Sequence, residues 1–78
     1  MLDKFGQLVR NIRLTRSLLL YDMAKTLDIS SAELSAIECG RKPVPDWFIP
    51  ALEENYNIGE TCAKMLSILA KERTEGLM

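Results

Sequence analysis

Residues 23–45, MAKTLDISSAELSAIECGRKPVP, constrain the fold more than any other segment. They write two short amphipathic helices around a tight turn and end in a basic, glycine-broken loop, the pattern of a helix-turn-helix. Met23, Ala24 and Leu27 share one face of the first helix, and Asp28 and Ile29 make the turn. Ser30 is placed to cap a second helix whose Leu34 and Ile37 recur at helical spacing, and Ser30 and Glu33 have the spacing of a capping box. Gly40 stands where a helix end calls for positive φ, with Arg41 and Lys42 directly after it. Once the inward positions are taken, Ser31, Ala32, Glu33, Ser35 and Ala36 face outward with small or polar side chains. A helix with so little bulk on its outer face can approach another surface closely.

The flanking segments also carry helical periods. Phe5, Leu8, Val9 and Ile12 predict a first helix from about Asp3, with Asp3 as its cap. Arg10, Arg13 and Arg16 line its other side and could clamp a phosphate backbone. Leu18, Leu19 and Leu20 form a run too short for its period to be assigned, part of it expected to pack and part to be exposed. Pro43 and Pro45 keep the preceding helix from continuing. A fourth helix is predicted from near Pro45 or Asp46, with Phe48, Ile49, Leu52 and Tyr56 inward. Pro50 should make its regular part start late or kink. Asn57 and Gly59 break the chain, with Ile58 expected to plug the core. A fifth helix over residues 60–73 places Cys62, Met65, Leu66 and Leu69 along one stripe widened by Ile68, and Thr74 to Met78 are expected to fray.

With 78 residues, 47% of them hydrophobic and 6% aromatic, the chain supports a single domain, residues 1–78, with an aliphatic core built from helices. No apolar run approaches the roughly 20 residues that span a bilayer, and no basic-then-apolar leader opens the sequence. A soluble, cytoplasmic protein with no membrane partner is therefore expected. Two cysteines, Cys39 and Cys62, and no histidine match no zinc spacing, so neither a metal nor a cofactor is expected. The absent histidine also deprives the serines and cysteines of the usual general base, and no glycine-rich phosphate loop or glycine-flanked nucleophile appears. An enzyme is not expected.

Charge is unevenly spread. Through Pro45 there are seven bases against five acids, and from Asp46 onward three against six, for a net charge of −1. A pI near 5.3 argues against indiscriminate nucleic-acid binding, yet it allows a local basic rim around an inserted helix. The fifth helix is the candidate for self-association, because Met65, Leu66 and Leu69 can either close the core or pair with a second copy. Trp47 poses the same choice between packing and anchoring an interface.

From Phe5 to Ile58 the chain resembles the Xre/Cro family of lambda repressor-like helix-turn-helix domains. The matching residues are Phe5-Gly6, Arg10, Ile12-Arg13, Met23-Ala24, Leu27, Ile29-Ser30, Leu34-Ser35, Ile37-Glu38, Gly40-Arg41-Lys42, Pro43-Val44-Pro45 and Tyr56-Asn57-Ile58, collinear over about 54 of 78 residues. The resemblance implies an all-α domain of four to five helices in which helices 2 and 3 form the motif. The helix over residues 31–39 would enter the major groove of double-stranded DNA. Ser31, Ala32, Glu33 and Ser35 would then face base edges, the serines donating or accepting, Ala32 meeting a thymine methyl and Glu33 accepting from a cytosine amino group. Arg13, Ser30, Arg41 and Lys42 would contact phosphates and set register. A homodimeric repressor reading an inverted repeat is the function implied.

The chain departs from the family pattern at four places. Leu19 and Leu20 occupy positions where the family often has a hydroxyl cap and a phosphate-binding glutamine. Asp28 replaces the usual turn glycine. The outer face of the third helix has no arginine, asparagine or glutamine. Together with the acidic pI and the three leucines, these keep a second function open: a protein-binding module on the same fold, antitoxin-like or a phage accessory factor.

Overall fold

Asp3 opens the first helix by accepting a hydrogen bond from the Gly6 amide at 2.9 Å, the bond expected of a capping aspartate. In the computed structural model, which describes residues 2–76, five helices follow in order: α1 Lys4–Thr15, α2 Leu20–Thr26, α3 Ser31–Glu38, α4 Phe48–Tyr56 and α5 Glu60–Gly76. No strand occurs among the described residues. The protein is all-α, as its periodicities require. None of these helices is long and apolar enough to cross a membrane, and no cluster of three or more potential metal ligands occurs among the described residues.

The chain divides into two packed units, one ending at Lys42 and the other beginning at Pro43. In the first, α3 packs against both α1 and α2. Phe5, Val9, Ile12, Met23, Ala24, Leu27, Leu34 and Ile37 are all buried. Leu34 and Ile37, the two apolar residues of the α3 inner face, are fully so. Gly6 is needed at its position because a Cβ there would lie 2.2 Å from the carbonyl oxygen of Glu38. The first helix therefore meets the end of α3 backbone to side-chain-free backbone.

Three successive helices close the same way. After α1, α2 and α3, Ser17, Asp28 and Gly40 adopt left-handed conformations with φ of 56°, 60° and 82°. The residue after each one donates its amide back to a carbonyl in the last turn: Leu18 to Arg13 at 3.0 Å, Ile29 to Ala24 at 3.0 Å and Arg41 to Ala36 at 2.9 Å. Glycine is the usual occupant, and here only one of the three is glycine. Serine and aspartate take the other two places, the aspartate type being the more tolerant of this region.

In the second unit α4 packs with α5, and Phe48, Leu52, Ala63 and Leu66 are buried. The α4 helix starts late, at Phe48. With Phe48 as its first residue, Pro50 falls in the first turn, where no intrahelical partner exists for an amide hydrogen. Asn57 ends it in a left-handed conformation, φ 48°, and Ile58 is half-buried.

The α5 stripe differs from expectation. It runs to Gly76, past the predicted end near Arg73, and of the expected frayed tail only Leu77 and Met78 lie outside the described residues. Among residues 60–73 its buried positions are Ala63 and Leu66, whereas Met65 is 47% exposed and Ile68 is also exposed. The inward line follows residues 63 and 66, flanked by half-buried Cys62 and Leu69. A period-based stripe cannot tell its centre from its edges when small Ala63 occupies the centre.

Candidate functional site

The outward side of α3 is the slender surface that its composition predicts. Ala32 is exposed, and Ser31, Glu33, Ser35 and Ala36 are half-buried. Ser30 caps the helix through its hydroxyl, which accepts from the Glu33 amide at 3.0 Å. Only this half of the capping box forms: among the described residues the Glu33 carboxylate makes no return bond to the Ser30 amide. The Ser30 hydroxyl is thus occupied as an acceptor, while the Glu33 carboxylate remains available.

At the other end of α3 the left-handed Gly40 turns the chain, and the amides of Arg41 and Lys42 both donate to the Ala36 carbonyl, at 2.9 and 3.2 Å. The closure holds the backbone of the two basic residues against the helix end. Their side chains are exposed and make no ion pair among the described residues. The cationic loop is thus fixed relative to α3 at its main chain and free at its charged tips.

Arg13 does not join that pair as expected. It is only 8% exposed, and its guanidinium donates to the carboxylate of Glu38 in a buried ion pair. Burial outweighs the attraction of Arg13 and Arg10 and raises the Glu38 pKa above its ordinary value of 4.5. The arginines at 10, 13 and 16 therefore split three ways. Arg10 is exposed, Arg13 is internal, and Arg16 folds back so that its guanidinium donates to the Ile12 carbonyl at 3.1 Å and the Thr15 hydroxyl at 3.2 Å. Residues three apart differ by only about 60° around a helix, so spacing alone would leave residues 10 and 13 as neighbours on one face; Arg13 is set apart by its ion pair with Glu38, and Arg16 lies past the last residue of α1.

The α2 side supplies residues that sequence reasoning passed over. Tyr21 and Lys25, one turn apart on α2, line an open cleft with Asp28, Ser30, Ser31 and Glu33. Their four-residue spacing on the helix before the turn was the available signal. Leu19, at the cap position of α2, has no acceptor to offer. The carboxylate of Asp22 instead accepts from the Leu19 amide at 2.9 Å, so the helix start is held without a hydroxyl. Of the three leucines, Leu19 is exposed and Leu18 and Leu20 are half-buried, and Leu14 and Tyr21 are exposed as well.

In the second unit Trp47 is 41% exposed, its ring centroid 5.8 Å from that of Phe48 at a 58° tilt. Leu66 is fully buried and cannot serve as an interface residue as expected, because its side chain is consumed by the core. Met65, Trp47 and the half-buried Leu69 keep accessible surface. No family model matches the chain, and no curated protein or solved structure is detectably similar to it.

Proposed function

We propose that this chain is a DNA-binding transcriptional regulator of the Xre/Cro type, acting in the cytoplasm as a homodimer on an inverted-repeat operator. One observation carries the reading: a capped helix whose outward face carries small side chains apart from Glu33 is followed at once by two exposed, unpaired cations whose backbone is tied to the helix end. A major groove about 12 Å wide admits a single helix, and the phosphates flanking it are met by cations at the helix margin. In this reading Ser31, Ala32, Glu33 and Ser35 touch base edges and Arg41 and Lys42 grip phosphates. Arg13 holds α1 to α3 instead of touching DNA. With no arginine, asparagine or glutamine on that face, base contacts are single hydrogen bonds and methyl contacts, so a monomer binds weakly and pairing supplies the remainder. Trp47 and Met65 are exposed apolar residues suited to that pairing.

Selection of duplexes from a random pool, followed by titration across salt, tests the proposal. Arg41→Ala and Lys42→Ala should weaken binding to all duplexes and each lower the salt slope by about one. Changes at Ser31 or Ser35 should alter which sequence is preferred. Binding that is indifferent to salt and to both loop cations would sink the assignment. The mass of the complex, measured by light scattering, reports whether two chains bind each inverted repeat.

A second reading, a protein-binding module, is favoured by one observation: Leu14, Leu19 and Tyr21 expose large apolar side chains in the first unit. Replacing all three with serine separates the two. Loss of a protein complex with duplex binding unchanged would favour the protein-binding function.

A further inference from the structure

We infer that Glu33 makes the α3 face discriminate against keto bases, so that one position of each operator half-site accepts cytosine or adenine and excludes guanine and thymine. The inference rests on the DNA-binding reading above and says what that surface selects.

Three observations lead to it. The Glu33 amide is held by the Ser30 hydroxyl at 3.0 Å, which fixes the backbone of the first turn, while its carboxylate is not spent on the return bond. The side chain is half-buried along the cleft that Tyr21, Lys25 and Ser31 also line, which limits its range of motion compared with a fully solvated glutamate. The rest of the outward face consists of Ser31, Ala32, Ser35 and Ala36. Serine hydroxyls rotate to donate or accept, and alanine does neither, so they tolerate either kind of base edge. Glu33 alone has a fixed polarity.

A carboxylate only accepts. In the major groove cytosine presents its 4-amino group and adenine its 6-amino group beside N7, whereas guanine presents only the acceptors O6 and N7 and thymine the acceptor O4. Against an amino group the carboxylate gains a charge-assisted hydrogen bond. Against a keto oxygen it meets a second acceptor, and both are left desolvated without a partner. Specificity at this position comes as much from exclusion as from attraction.

The test is random-pool selection with the full chain and with Glu33→Gln. The wild-type pool should contain one column per half-site in which amino bases outnumber keto bases by at least about tenfold. Glutamine both donates and accepts, so Glu33→Gln should readmit keto bases and lower that ratio at least about fivefold. A second measurement uses the wild-type protein alone: removing the exocyclic amino group from the base in that column should weaken binding at least about fivefold. Enrichment with no such column, or a column that both changes leave untouched, overturns this inference while the DNA-binding reading stands. A wild-type pool with no enrichment overturns both.

Discussion

Arg13 near the end of α1 and Glu38 at the end of α3, 25 residues apart in sequence, form a buried ion pair. In the same corner the Gly6 backbone lies against the Glu38 carbonyl so closely that no Cβ would fit. Together these contacts fix the angle between α1 and α3, and with it the direction in which the outward face of α3 points. A guanidinium and a carboxylate buried together cost desolvation that their attraction must offset, so removing one partner leaves the other stranded.

Arg13→Ala and Glu38→Ala should each destabilise the protein by about 3–5 kcal/mol in chemical denaturation, because each deprives a buried charged group of its ion-pair partner. The apolar double replacement Arg13→Met with Glu38→Leu should recover most of that loss. It should also retain duplex binding within about threefold, since in this account Arg13 positions α3 and touches no phosphate.

Stability should also depend on pH through Glu38. Its folded-state pKa is raised, first by burial, above the ordinary 4.5, so between 4.5 and the raised value the folded chain holds a proton that the unfolded chain releases. This group's contribution therefore falls as pH rises through that window and is most favourable below it. Glu38→Gln should remove the corresponding slope from a plot of unfolding free energy against pH. An unchanged slope would show that the carboxyl is not the group responsible.

Gly6→Ala should lower stability by about 1–3 kcal/mol in thermal or chemical unfolding, because the new methyl would sit 2.2 Å from backbone that cannot rotate away. Relief requires α1 and α3 to separate, so duplex affinity should fall with it. The control is Gly59→Ala, where open space surrounds the position and only the left-handed backbone, φ 90°, penalises the change.

Asp28→Gly and Ser17→Gly replace left-handed residues at equivalent helix ends, and each should change stability by less than about 1 kcal/mol, the relief of strain being offset by glycine's larger unfolded-state entropy. On the proposed DNA-binding function, their effects on duplex affinity should diverge. Asp28 lines the cleft beside Ser31 and Glu33, so removing its charge should tighten duplex binding, most at low salt. Ser17→Gly should leave binding unchanged. Equal effects of the two would place Asp28 away from the DNA.

The elements themselves were legible in the amino-acid order, because caps, turn breakers and a 3.6-residue apolar period are local signals. Asp3 and Ser30 cap the helices that they precede, Gly40 turns the chain after α3, and Phe5, Val9, Ile12, Leu34 and Ile37 are buried where their spacing puts them. The slenderness of the outward α3 face followed from the same period. What spacing could not supply was the fate of long side chains and the partners they find across the fold. Arg13 is as compatible with a solvated helix face as with a buried pair, and only the approach of Glu38 from a distant turn decided between them. Leu66 and Met65 are neighbours of similar hydrophobicity, and helix rotation alone buried the one and exposed the other. Local sequence thus determines where the backbone coils and turns, since those preferences act within a few residues. Tertiary packing determined which charges are spent internally and which remain on the surface, because burial depends on atoms that the chain brings together from far apart.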